Sequence, residues 1–298
     1  MRWQDLGRSA NIGTGAARGG GMGGLALGGG GLGAIAVAAV VFFLTGDPGT
    51  AIRAGQAAGG MTGAGGQAQV TQGCREGDQA CEFTSAILKG TEDVWGAEFA
   101  RRGAQYQPPK LIVYDQVMPT ACGTGQSAMG PFYCPADRTV YIDTDFYTEL
   151  GTRFGAAGDF ANAYVIAHEV GHHVQTLTGA SERVARVRQT GDQRAANRAS
   201  VRLELQADCY AGMWAARANQ LNIQRNGRPL LEPGEEREAL AAASAIGDDR
   251  LQRRSQGRVV PDSFTHGSSE QRVRWFTIGF QGGSMEACDT FGIPESQL

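Results

Sequence analysis

Apolar residues change their spacing along this chain, and the change divides it. Phe83, Ile87, Val94, Trp95 and Phe99 recur at helical intervals, so Cys81 to Arg102 is expected to be a helix. After Pro108-Pro109 the β-branched run Lys110-Leu-Ile-Val-Tyr-Asp115 predicts a strand, and Arg138-Thr-Val-Tyr-Ile-Asp143 predicts a second. Between them, Ser127-Ala-Met-Gly-Pro-Phe-Tyr-Cys134 reads as a short edge strand, where a proline is tolerated. From Asp159 onward the spacing is helical. Helices are expected from Asp159, as a cap, to about Leu177 with Gly179 as the stop, and over 181–188. Others are expected from Asn197 to Asn219, from Glu235 to Arg254 and from Gly267 to Phe280. Strands first and helices after predict an α+β domain with a small antiparallel sheet.

The N-terminal part follows neither pattern. Of the chain's 45 glycines, 21 fall in residues 1–66, which leaves that segment little side-chain mass for a core. Within it, residues 25–44 carry no charge over the length a bilayer-crossing helix needs. Gly24 and Gly28, then Gly29 and Gly33, have the small-xxx-small spacing that lets such helices pack closely. Arg2, Asp5, Arg8 and Arg18 precede the run and Asp47 follows it, so the positive excess lies on the N-terminal side. The expected organisation is a cytoplasmic Gly-rich tail (1–24), a transmembrane signal anchor (25–44), a flexible tether (45–70) and a folded domain (71–298) outside the cytoplasm. No clean small-x-small site follows the run, which argues for retention over cleavage.

Composition narrows the function. With 298 residues and 42% hydrophobic content the chain can bury a sizeable core. Its net charge of -3, with both signs interspersed, advertises no face for nucleic acid. Six cysteines, an even number, suit disulfides in an exported domain. Proximity in sequence favours Cys74 with Cys81 and Cys122 with Cys134, leaving Cys209 with Cys288. No C-x-x-C pair is present to suggest a cysteine zinc cluster.

Three of the four histidines lie in Ala163-Tyr-Val-Ile-Ala-His-Glu-Val-Gly-His-His-Val-Gln175. His168 and His172, four apart, stand one above the other on one helical face and can meet a single Zn²⁺. Glu169 is placed to serve as general base. Ala163, Ile166, Val170, Val174 and Leu177 form the opposite, apolar stripe, and Gly171 implies a close approach to something. His173 points about 100° away from His172 and is expected at the surface or behind the ligands. No third histidine follows at metal-binding spacing. Glu204 and Asp208 repeat the i, i+4 spacing in an otherwise apolar stretch, with Glu204 expected to ligate zinc and Asp208 to orient a ligating histidine. His266 is the best candidate, by residue type, to hold a developing oxyanion, with Tyr210 and Tyr164 as rivals. Asp248 and Asp249 are expected to be helix-terminal or solvated, and Arg272 and Arg274 to be ion-pair partners.

The segments AHEVGHHVQ, ELQADCYAGMWA, AIGDDRLQ and THGSSEQRVRWF, in this order behind a glycine-rich run, resemble the bacterial neutral zinc metallopeptidase family. The H-E-x-x-H plus E-x-x-x-D arrangement also resembles the glutamate-zincins, the thermolysin-like clan. The resemblance implies a zincin-type fold, zinc held by His168, His172 and Glu204, and Glu169 as the catalytic base. It also implies a peptide or protein substrate. The alternative is an inactive, zinc-stabilised envelope protein that acts as a binding module and has an occluded cleft.

Overall fold

The computed structural model describes residues 1–17, 68–126 and 130–298. The uncharged run at 25–44 lies outside them. Among the described residues, no helix is long and apolar enough to cross a membrane.

Five strands form the main sheet: β1 (Ile12–Ala17), β2 (Ala68–Gln72), β3 (Lys110–Tyr114), β6 (Phe132–Cys134) and β7 (Thr139–Asp143), in the order β2-β1-β3-β7-β6. The intervening β4 (Val117–Thr120) and β5 (Gly123–Gln126) make a separate hairpin. The sheet is mixed, not antiparallel as expected. β1 and β7 both run parallel to β3, while the outer strands β2 and β6 are antiparallel to their neighbours. The hairpin and β6 turn the chain back between β3 and β7, which lets those two run the same way. Among the described residues, β6 pairs on one side only and ends the sheet.

Residues 1–17 correct the expected domain boundary. They are part of the folded domain, with β1 inserted between β2 and β3. Trp3 packs edge-on against Phe83, Arg228 pairs with Asp5, and Ser9 and Asn11 bond Glu92. Glycine obscured this strand in the sequence, yet glycine is what the crowded site needs. A Cβ on Gly15 would come within 2.9 Å of Ile112 and Met118 side-chain atoms. Ala17 is the cross-strand partner of Ala68, so the two ends of the segment between them leave the sheet side by side.

Eight helices complete the described fold. They are α1 (Gln79–Arg101), α2 (Asp145–Thr152), α3 (Asp159–Thr178), α4 (Ala180–Gln189), α5 (Gln193–Asn226), α6 (Glu236–Ala245), α7 (Asp248–Gln256) and α8 (Ser269–Phe280). The single helix expected over 235–254 is two, α6 and α7, broken at Ile246-Gly247. α3 is the central helix. Its apolar stripe is buried against Trp214, Phe276 and their neighbours, with Phe160, Tyr164, Ile166, Val170 and Val174 almost wholly covered. α5 and α8 cross backbone to backbone: a Cβ on Gly279 would stand 1.9 Å from the Cys209 carbonyl oxygen, and one on Gly212 2.1 Å from that of Phe276.

Three disulfides link Cys74 to Cys81, Cys122 to Cys134 and Cys209 to Cys288, the pairing that proximity favoured. The last ties the middle of α5 to the C-terminal segment.

Candidate metal centre

α3 begins at Gly158 and not on a side-chain cap from Asp159. The cap comes from α6: the Phe160 amide donates to the Glu238 carboxylate at 3.0 Å. Gly158 has a φ of 127°, and any Cβ there would overlap that carboxylate. At the other end Gly179 is left-handed and stops the helix, as expected.

Gly171 sets the spacing of the site. A Cβ at this position would lie 3.2 Å from the backbone of Ala207, so α3 and α5 meet closely where each carries its polar pair. That contact places His168, His172 and Glu204 with their ligand atoms within 4.8 Å of one another, and no other such group occurs among the described residues. His168 Nε2 lies 3.2 Å from Glu204 Oε2, and His172 Nε2 lies 3.4 Å from Glu204 Oε1. In a tetrahedral zinc site with bonds of about 2.0–2.1 Å, neighbouring ligand atoms sit roughly 3.3 Å apart. The donor set therefore fits zinc in element type and number, and its two His–Glu spacings match.

Both imidazoles are held from behind. His168 Nδ1 donates to Asp208 Oδ1 at 2.8 Å, which leaves Nε2 as the ligating nitrogen. His172 Nδ1 meets Gln175 Oε1 at 2.8 Å, and the Gln175 amide nitrogen donates to the Leu203 carbonyl and to Gln206. Two acceptors on the nitrogen side fix the orientation of that amide. Its oxygen must therefore face His172. Gln175 was not singled out in the sequence, although its i+3 relation to His172 was there to read.

Asp208 is fully buried, and its Oδ1 also accepts from the Tyr164 hydroxyl at 2.6 Å and from Arg272 at 2.9 Å. Arg272 reaches Oδ2 as well, at 2.8 Å. Burial works to raise the Asp208 carboxyl, but Arg272 and His168 hold it below the usual range. Arg272 is thus the ion-pair partner expected, whereas Arg274 bonds the Leu298 carbonyl. Tyr164, committed to Asp208 and Arg272, is not available to an oxyanion. Tyr210 packs against Trp95 away from the cleft.

A cleft of about 510 Å³ opens over the three ligands, lined also by Glu169, His266, Tyr133 and Arg272, with α4 as one wall. Burial raises the Glu169 carboxyl against the opposing pull of His172 and His168, which suits a group that must take and return a proton. His266 shares this cleft with the ligands. Its Nδ1 lies 3.1 Å from Asp248 Oδ1, while Asp248 Oδ2 gathers the backbone amides of Thr265, His266 and Gly267. Burial lowers the His266 imidazole, but Asp248 outweighs it and the net shift is upward, so the ring stays cationic to higher pH. Asp248 is helix-terminal as expected, the first residue of α7, but it is buried and not solvated. The break after α6 places it where it can hold the His266 loop.

His173 is also corrected. It is not at the surface: it is fully buried, its Nε2 donates to the Gln107 carbonyl at 2.7 Å, and its Nδ1 faces the Tyr133 hydroxyl at 3.1 Å. Burial, with Arg138 adding to it against the Gln107 carbonyl, pushes the ring down to about 4.

A helix pair that brings two histidines and a glutamate within 4.8 Å of one another, with a second glutamate beside them in the same cleft, forms a candidate metal centre built on an H-E-x-x-H motif. The family model described as "Putative neutral zinc metallopeptidase" matches residues 1–291, and the chain belongs to this family. Over 215 residues, 72% of each chain, it is 57% identical to the uncharacterized protein YpfJ of Escherichia coli K12. Over 226 residues, 74% of this chain and 75% of the relative, it is 44% identical to the uncharacterized protein Rv2575 of Mycobacterium tuberculosis. No solved structure matches this chain.

Proposed function

We propose that the chain is a zinc-dependent endopeptidase of the zincin type. The observation that carries this reading is the spacing of the His168, His172 and Glu204 donors, at tetrahedral zinc distances with Glu169 in the same cleft. Zinc, when bound, supplies a Lewis acid for the scissile carbonyl and lowers the pKa of water.

The protein's own groups do the rest. Asp208 and Gln175 fix the tautomer and the aim of both ligand histidines. Glu169 takes a proton from the attacking water and hands it to the leaving nitrogen. His266, with its Nδ1 engaged by Asp248, has Nε2 to donate to the oxygen on which charge develops. The free side of β6 offers main-chain pairing to an extended peptide, which positions a substrate without demanding its sequence. The rival reading, an inactive binding module, expects an occluded cleft, whereas the described residues leave about 510 Å³ over the candidate ligands.

Three disulfides support work in an oxidising compartment outside the cytoplasm. The uncharged run at 25–44 supports attachment to a bilayer. The pairing of Ala17 with Ala68 adds a condition: either the run attaches with both ends on the domain's side, or β1 leaves the sheet when it crosses. Metal analysis of the purified chain, together with a peptide-library cleavage assay with and without a chelator, tests the reading. One chelatable zinc per chain and chelator-sensitive cleavage are expected.

A further inference from the structure

The side chain next to a metal ligand is bound to the edge strand of the sheet, and nothing in the chemistry above uses it. His173 follows His172 on α3 and is turned about 100° from it, away from the metal face. Both of its nitrogens are engaged, one by the Gln107 carbonyl and the other by the Tyr133 hydroxyl. Tyr106 and Tyr133 stand edge-on to the ring at 5.9 and 5.5 Å. A phenylalanine would fill this apolar pocket without the cost of desolvating an imidazole, so plain core packing does not call for histidine here.

Tyr133 is the middle residue of β6, opposite Val140 of β7. β6 has only three residues, short for a strand, and is hydrogen-bonded on one side alone. Its last residue, Cys134, is held to the β4–β5 hairpin by the disulfide to Cys122. The Tyr133 hydroxyl ties the middle of the strand to α3, where it bonds His173 Nδ1 and also meets the Thr176 side chain.

We infer that His173 is a positioning residue: it locks β6 to the metal-binding helix, so that the strand edge that pairs with a peptide is held at a set distance from His168 and His172. Its effect on turnover rests on the peptidase reading above, but its effect on strand order does not.

The test uses the full chain, disulfides intact and zinc-loaded, with His173→Phe and Tyr133→Phe compared to wild type. Tyr133→Phe removes one hydroxyl and keeps the ring, so it still decides the matter should His173→Phe fold poorly. Amide hydrogen exchange should quicken at least tenfold across 132–134 in both variants, while α3 protection and the zinc dissociation constant stay within twofold. On a long extended peptide kcat/KM should fall at least tenfold in both variants, mainly through KM, and on a blocked dipeptide amide His173→Phe should change it less than twofold. Unchanged exchange in β6 overturns the inference, and so does a parallel loss of zinc affinity, which would make His173 a support of the metal helix alone. A wild-type chain that cleaves neither substrate removes the peptidase reading, and the exchange result then decides the positioning role by itself.

Discussion

Gly171 and Ala207 meet where α3 crosses α5: a Cβ on the glycine would stand 3.2 Å from both the Cα and the carbonyl oxygen of the alanine. This contact turns two separate i, i+4 pairs into one metal centre, because it brings His168 and His172 on one helix against Glu204 and Asp208 on the other. Gly171→Val should therefore force the helices apart. Overpacking of this kind costs about 1–3 kcal/mol, and the ligand triangle would widen with it. The expected outcome is a lower unfolding midpoint and at least tenfold weaker zinc binding in a competition titration. Normal zinc affinity in a folded Gly171→Val protein would break the link between the crossing and the site.

Gln175 gives a prediction that concerns metal affinity alone. Gln175→Leu removes the acceptor for His172 Nδ1 and frees the ring to turn. Loss of such an outer partner weakens metal binding by about 10–100-fold. Zinc competition at fixed pH reads this directly, and an unchanged constant would show that His172 needs no orienting partner.

Asp208 carries both fold and site. Asp208→Ala leaves Arg272, which is 2% exposed, as a buried charge without its carboxylate. Breaking a buried pair from one side costs about 3–5 kcal/mol, so urea unfolding should show a loss of that size. Asp208→Ala combined with Arg272→Met should recover much of the stability but none of the zinc affinity lost with the His168 partner.

The disulfide between Cys209 and Cys288 closes a loop with a sequence separation of 79. Chain-entropy arguments assign a loop of that length roughly 4.5 kcal/mol. The double change Cys209→Ala and Cys288→Ala should lower denaturant stability by several kcal/mol, more than removal of the Cys74–Cys81 bridge, whose separation is 7. Equal losses from the two bridges would count against loop closure as the source.

The proposed attachment to a bilayer can be tested through strand β1. Thr14 and Thr71 are cross-strand partners, so Thr14→Cys with Thr71→Cys should be joined by a short bismaleimide. Absence of the crosslink in membranes, with its presence in detergent extracts, would mean that β1 leaves the sheet on insertion.

The candidate metal ligands were legible in the sequence because a helix makes residues four apart into neighbours, and two such pairs sit in apolar surroundings where chance carboxylates are rare. The disulfides followed from spacing. β1 and β2 were hidden because Gly13 and Gly15 carry no side chain to show a period, and their pairing spans the long segment between Ala17 and Ala68. Asp248 is helix-terminal as its sequence suggests, but its hold on the His266 loop was hidden because its partners, three backbone amides and the His266 ring, lie nearly twenty residues away and leave no local pattern. His173 was misplaced for a related reason: helical phase showed that it turns from the metal but not that a sheet waits on that side.

The central claim, that this cleft hydrolyses peptides with Glu169 as the base, is tested most directly by Glu169→Gln. Zinc content and peptide-library cleavage are measured on the purified variant beside wild type. The account predicts one zinc per chain in both proteins and loss of cleavage by at least a thousandfold in the variant, since the amide cannot take the proton. Cleavage at the wild-type rate by a zinc-loaded Glu169→Gln protein would contradict it.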